Sequence, residues 1–285
     1  PSETRMDATK RVHFRGHAGI SFWKGVEVIK RAGLSLSQQQ HILSLVSFHF
    51  DFFNLVQPER SGEARQTFYD TFKGNKRLAT DLVEHFLCDN MGRLGMHSEQ
   101  AQFKPENIRE WASPFIANLG PLVKRETEQE VIILAGLPCT GKSTWVAKVF
   151  RELPHTYISI DSYIAARAFE DETSYDEAWP KHIKAAEAHY NKELQAAYKR
   201  KDPRIILDRT HLSKKARRKS VGQAPKSYKK VCLLFVAEHD TILKRNKQRG
   251  KEQNKNISEE IYLDMMKRFR VPTYELFDYI EWIWT

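Results

Sequence analysis

The residues from Val131 to Thr144, V-I-I-L-A-G-L-P-C-T-G-K-S-T, join a short apolar run to the pattern G-x-x-x-x-G-K-S. That spacing lets a loop wrap its backbone N–H groups around nucleotide phosphates. Gly136 and Gly141 permit a tight backbone that a Cβ would obstruct, and the amides of Cys139, Thr140 and Thr144 complete the cradle. Lys142 would reach the β- and γ-phosphates, and the Ser143 hydroxyl would ligate Mg²⁺. A helix from about Ser143 to Arg151 would aim its positive N-terminus at the anion. These residues imply a nucleoside triphosphate. No base-selective motif is apparent, so ATP is the default donor.

A phosphate loop alone does not specify a reaction, and three further features bear on it. Ser159-Ile-Asp161-Ser-Tyr163 follows a second strand-like run. A carboxylate there faces the loop across the top of an open sheet, where it could take a proton from an attacking hydroxyl or could simply N-cap the next helix. Asp208, in Ile205-Ile-Leu-Asp-Arg209-Thr210-His211, ends another such run. It reads equally as a Mg²⁺-ordering acid or as a turn residue. Arg245 and Arg249 lie four apart, on one face of a helix that a polar stretch from Gly250 to Ser258 follows. They suit a lid that neutralises charge during phosphoryl transfer, or a solvated helix end.

The elements needed to place these groups show in the periodicity. Strand-like runs at Glu130–Ala135, Thr156–Ile160, Arg204–Leu207 and Lys230–Ala237 alternate with helical segments, the longest over Tyr175–Lys199. Such alternation predicts an α/β domain with a parallel sheet flanked by helices. Residues 1–122 read instead as an all-α domain. There Phe22, Val26 and Ile29 share one face of a helix over Ser21–Ala32, and Ser37 with Gln40 reads as a capping box. The predicted boundaries are 1–122, a linker at 123–129, and 130–285.

The chain has 285 residues, 41% apolar and 29% charged, which suits a two-domain globular protein. Its net charge of +10 makes a polyanionic partner plausible. The segment Lys214–Lys230 carries eight Lys or Arg and no acid, with Tyr228 among them as a surface for base stacking. Charge alone would fit a solvated face as well. Cys88, Cys139 and Cys232 lie far apart and read as reduced thiols of a cytoplasmic protein. No apolar stretch has the length of a membrane span. Trp111, Trp179 and the tail Tyr279–Trp284 read as packing residues.

Taken together, residues 130–270 resemble the 5′-hydroxyl polynucleotide kinases. The likeness rests on G-x-P-x-x-GKSTW at Gly136–Trp145, on Asp161 with Tyr163, on Asp208 and Thr210 followed by Arg217-Arg218, and on K-R-N-x-x-R-G at Lys244–Gly250. The resemblance implies transfer of a γ-phosphate to the 5′-OH of RNA or DNA in end repair. It implies Asp161 as general base, Lys142 and Arg249 as γ-phosphate stabilisers, and Arg245 beside them at the nucleotide. Arg167, Asp208, Arg209, Thr210, Arg217 and Arg218 would line the acceptor. One departure stands out: the family's acceptor-binding arginine, three residues beyond the base, is Ile164 here, which leaves Arg167 as a substitute.

In the N-terminal half, F-R-G-H17, L-V-S-F-H49 and C-D89-N-M-G-R resemble the later part of HD-type phosphohydrolases, which occur fused ahead of such kinases. That likeness implies His17, His49 and Asp89 as ligands of a transition metal. The His-Asp dyad that names the group would lie upstream of residue 13 and is absent from this sequence, so an incomplete, inactive end-phosphatase domain is expected. The alternatives are a small-molecule kinase on the same core, or an NTP-dependent RNA-binding switch.

Overall fold

The computed structural model describes residues 4–6, 12–14, 16–55, 61–94, 105–122, 126–253 and 255–285. The chain divides into two compact units, one mainly His17–Val123 and the other mainly Lys124–Pro272 with Leu276–Thr285. Two short strands, β1 (Thr4–Met6) and β2 (Val12–Phe14), pair antiparallel near the start.

The first unit is helical: α1 (His17–Arg31), α2 (Leu36–Leu55), α3 (Ser61–Phe72), α4 (Lys76–Leu94) and α5 (Pro105–Ala117). Phe22, Val26 and Ile29 are buried along one face of α1, as their spacing predicts, and Trp23 is buried beside them. Aromatic rings fill the unit's interior, with Phe52 4.9 Å from Phe86 and 6.4 Å from Trp111. The cap of α2 lies two residues earlier than predicted. Ser35 and Gln38, not Ser37 and Gln40, exchange the capping bonds, with Gln38 N–H donating to Ser35 Oγ and Ser35 N–H to Gln38 Oε1.

The second unit is a parallel-sheet α/β fold of the kind the periodicity predicts. Its elements are β3 (Gln129–Ala135), α6 (Lys142–Val149), β4 (Thr156–Ser159), α7 (Ile160–Glu170), α8 (Tyr175–Arg200), β5 (Arg204–Asp208), α9 (Lys214–Val221), β6 (Tyr228–Val236), α10 (His239–Gln253), α11 (Glu259–Arg268) and β7 (Tyr279–Trp284). The sheet order is β4-β5-β3-β6-β7, with every neighbouring pair parallel. From β3 the chain crosses to the edge strand β4, comes back inward to β5, and then passes to the other side of β3 for β6 and β7, so the direction of progression reverses around β3. Ligands of open α/β sheets bind at the carboxyl ends of strands around such a reversal.

Continuous apolar runs mark these strands because both faces are covered: Val131 to Ala135 are all buried. On one face Ile132, Leu134, Ile206, Leu233 and Phe235 pack with Val146 and Phe150. The tail predicted only as packing is a sheet strand, β7, in register with Val231–Val236 of β6. Its exposed Tyr279 and Glu281 obscured the pattern. No helix among the described residues is long and apolar enough to cross a membrane.

Candidate functional site

The loop after β3 has the backbone that its sequence demands. Gly136 sits at φ 139°, and a Cβ there would lie 2.6 Å from the Phe235 carbonyl oxygen of β6. Gly141 takes φ 81° as the N-cap of α6, and Cys139 adopts the left-handed region at φ 63°. The buried Thr140 braces the turn by donating from Oγ1 to Leu137 O at 2.8 Å. Thr144 lies in the first turn of α6, where helix N–H groups lack intrahelical acceptors. Lys142 is buried and donates from Nζ to Leu137 O at 2.7 Å and Gly136 O at 3.2 Å. Desolvation holds its ammonium below the usual lysine range, opposed by the nearby carboxylates of Asp208 and Asp161.

Two acids predicted at strand ends converge on this loop. Asp208, the last residue of β5, accepts from Ser143 Oγ at 2.8 Å and also from the Tyr157 hydroxyl. Burial and the Asp208 charge together hold that phenol well above its ordinary range, so Tyr157 stays a donor. Asp208 is therefore no plain turn residue. Hard oxygens from Ser143 and Asp208 form a ligand pair that suits Mg²⁺.

Asp161 is the second residue of α7, but it does not cap the helix. Ser159 does, accepting from Ser162 N–H. That leaves the exposed Asp161 carboxylate to accept from the Tyr175 hydroxyl at 2.8 Å. Burial and the Asp161 charge raise the pKa of this phenol too.

The arginines of α10 fall at the same place. Arg245 donates to Cys139 O and to Thr285 Oγ1, each at 3.3 Å, and Thr285 Oγ1 donates onward to Thr140 O at 2.9 Å. The residue after β7 thereby touches the phosphate loop. Arg249 donates from Nε to Lys255 O at 3.2 Å, and its charge is felt at Lys142 and Tyr175. The helix does not end at Gly250 as predicted; α10 continues to Gln253. Buried Asn246 then clasps the following segment, donating to Asn256 Oδ1 and Ile257 O and accepting from Ile257 N–H.

Several predicted acceptor residues are committed elsewhere. Arg217 is 2% exposed and donates to the carbonyls of His211, Leu212, Arg270 and Val271. Burial lowers its pKa to about 10. It fastens two chain segments together and presents nothing to a ligand, which corrects the acceptor role. Tyr228 is likewise no stacking surface, since it is buried with its hydroxyl on Asp202 O. Arg209 pairs with Glu187 at 3.0 Å and lies over the Tyr190 ring. Arg167 pairs with Glu170 and covers the Tyr163 ring, whose centroid lies 4.8 Å from that of His189 at a tilt of 35°. Ile164 is fully buried. Thr210 contributes its carbonyl, which accepts from Gly136 N–H at 2.9 Å and ties β5 to the loop. Arg218 is exposed, as are Lys215 and Lys219 on the same helix.

In the helical unit, His17 and His49 meet directly, Nε2 to Nε2 at 2.9 Å. The His85 ring lies 6.1 Å from His49, and the Asp89 charge is felt there. Burial, together with the neighbouring histidines, lowers the His49 pKa. The predicted residues do come together, but as a hydrogen-bonded pair. Among the described residues no three His, Cys, Asp or Glu are disposed to hold a metal. The predicted metal centre thus lacks a ligand set there. His13 and Arg93, also in that pattern, lie outside the described side chains.

Sequence reading missed Tyr157, Tyr175, Asn246 and Lys255. Two of them left a signal: Asn246 lies within the K-R-N-x-x-R-G run, and Ser174 with Glu177 forms the capping box that starts α8 and sets the position of Tyr175.

Residues 131–272 match the AAA_33 family, described as an AAA domain. A candidate kinase from Chloroflexus aurantiacus is similar at 16% identity over 56% of this chain and 87% of that one, with a TM-score of 0.44. Kti12 of Chaetomium thermophilum, solved with ADP-AlF3, is similar at 18% identity over 54% and 88%, with a TM-score of 0.37. A gluconokinase of Sinorhizobium meliloti is similar at 14% identity over 56% and 84%, with a TM-score of 0.35. Likenesses this distant carry nothing about an acceptor. Over residues 131–272 this chain is thus similar to the AAA_33 family, with a phosphate loop carried on a parallel-sheet α/β fold.

Proposed function

We propose that this chain transfers the γ-phosphate of ATP to the 5′-hydroxyl end of RNA or DNA. The observation that carries the acceptor class is the placement of α9. This helix leaves the end of β5, the strand that delivers Asp208 to the loop, and carries exposed Lys215, Arg218 and Lys219. Exposed cations on the helix that follows the Asp208 strand suit an acceptor with a phosphate backbone, and a small neutral sugar has no use for them.

In the reaction, Lys142 turns its ammonium from the Gly136 and Leu137 carbonyls to the β- and γ-phosphates. Arg245 and Arg249 offset the charge that builds on the transferring group. Asp161 accepts the proton of the 5′-hydroxyl as its oxygen bonds to the γ-phosphorus and the bond to the leaving ADP oxygen breaks. Mg²⁺, held by Ser143 and Asp208, would supply charge neutralisation at the phosphates. The helical unit is read as an HD-type end-processing relative without activity of its own, a reading motivated by the His17–His49 contact with His85 and the Asp89 charge near His49.

The test uses γ-labelled ATP with matched 5′-OH RNA and DNA oligonucleotides, a nucleoside and a sugar. Label should reach an oligonucleotide end, and Asp161→Asn should lower the rate by roughly 10²–10⁴. Label on the nucleoside or sugar alone would overturn the acceptor class. Undiminished transfer by Asp161→Asn would overturn the base.

A further inference from the structure

The groups that hold the two substrates are joined by a chain of contacts that neither the loop motif nor the acid assignments contain. Arg249 Nε donates to the Lys255 carbonyl at 3.2 Å. The Lys255 ammonium lies over the Tyr175 ring, 4.0 Å from its centroid. Tyr175 in turn donates its hydroxyl to Asp161 Oδ1 at 2.8 Å. Lys255 belongs to the segment that Asn246 clasps to α10 through Asn256 and Ile257, so its position follows that helix.

We infer that Tyr175 and Lys255 are positioning residues for Asp161, and that they couple the nucleotide-side arginine of α10 to the orientation of the base. The inference rests on Asp161 being the base. Each link has a physical reason. A carboxylate with one oxygen held by a phenol loses rotational freedom, so its other oxygen is presented in a defined direction. The phenol's ring is half-buried on α8, and a cation on its face is attracted by the ring quadrupole. Burial lowers the Lys255 pKa, opposed by the Asp161 charge, so this ammonium is partly withdrawn from water, where such a contact is stronger. Arg249 fixes the backbone that carries Lys255. An arginine drawn toward the γ-phosphate therefore moves the residue that steadies the phenol. Occupancy of the donor site would thereby be transmitted to the base through two side chains and one loop.

The experiment is steady-state phosphorylation of the best acceptor, with nucleotide affinity measured separately using a fluorescent ATP analogue. The proteins are the unaltered chain, Asp161→Asn, Tyr175→Phe, Lys255→Met, Lys255→Arg and the double variant Tyr175→Phe/Lys255→Met. Tyr175→Phe should lower kcat roughly tenfold, the scale of a lost hydrogen bond to a charged group, with acceptor KM and nucleotide affinity retained. Lys255→Met should do the same, Lys255→Arg should restore most of the rate, and the double variant should be no slower than Tyr175→Phe alone.

Full kcat in Tyr175→Phe, or losses that multiply in the double variant, would overturn the inference. So would a loss confined to nucleotide affinity, or Lys255→Arg as slow as Lys255→Met. Asp161→Asn separates the two readings. If it is fast, the base assignment has failed. If it is slow while Tyr175→Phe is fast, only the coupling has failed.

Discussion

Arg217 and Arg218 are adjacent in sequence and opposite in environment. In a helix, successive residues point about 100° apart, so one of a pair can enter the core while the other meets water. Arg217 spends its guanidinium on four carbonyls, and Arg218 stays exposed. Arg217→Met should therefore lower stability by about 3 kcal/mol by stranding buried carbonyls, read as a fall in the denaturation midpoint. Folded enzyme at low temperature should keep its acceptor KM. A raised KM with unchanged stability would return Arg217 to the acceptor site. The same scale explains His211, held at φ 44° with both ring nitrogens bonded, to Leu134 O and Ser220 Oγ. Burial drops its pKa to about 3, so it is a neutral structural link between β3 and α9 and not a base.

Among the elements, the caps decide where the site residues fall. Ser174 accepts from Glu177 N–H while the Glu177 carboxylate accepts from Ser174 N–H, so α8 begins with Tyr175 as its first residue. The Thr173 hydroxyl, together with the Ser174 hydroxyl and N–H, donates to the Glu177 carboxylate and holds its pKa down at about 2. Ser174→Ala should cost about 1 kcal/mol of stability in chemical denaturation. It should also slow phosphoryl transfer, because fraying the first turn loosens the phenol that Asp161 accepts from. A variant less stable yet equally fast would show that Tyr175 is held by other contacts. Caps also account for one misreading. Around α2, Ser35 and Ser37 each have a glutamine three residues on, and local sequence cannot choose between the two registers. Packing of Leu43, Phe48 and Phe52 on the inner side of α2 accompanies the earlier start.

For the molecule as a whole, the +10 charge matters only where it is placed. If a single strand lies along α9, acceptor KM should rise steeply with salt, by a logarithmic slope of about 0.7 per phosphate contacted. Replacing Lys215, Arg218 and Lys219 together by Gln should flatten that slope by about 2 and leave kcat at saturating acceptor intact. An unchanged slope would make α9 a solvated face.

Much of this protein is local and was open to reading in its sequence. The phosphate loop is a contiguous motif whose glycines answer to backbone geometry within a few residues. Asp161 and Asp208 were visible because the ends of apolar runs mark the top of a parallel sheet. What sequence could not show are contacts between segments distant along the chain: Tyr175 on Asp161, Tyr157 on Asp208, Lys255 on Tyr175, and Thr285 on the loop at Thr140. None of these pairs has a periodic signature, because each depends on how α8, β4, α10 and β7 are placed around the strand ends. The burial of Arg217 and the strand identity of Tyr279–Trp284 have the same origin. A guanidinium is buried only when folding brings it enough carbonyl acceptors, and an edge strand is recognised by the neighbour it pairs with. Residue types and their local spacing set the chemistry available to this domain. Tertiary structure decided which side chains hold that chemistry in place, because positioning is a relation between elements.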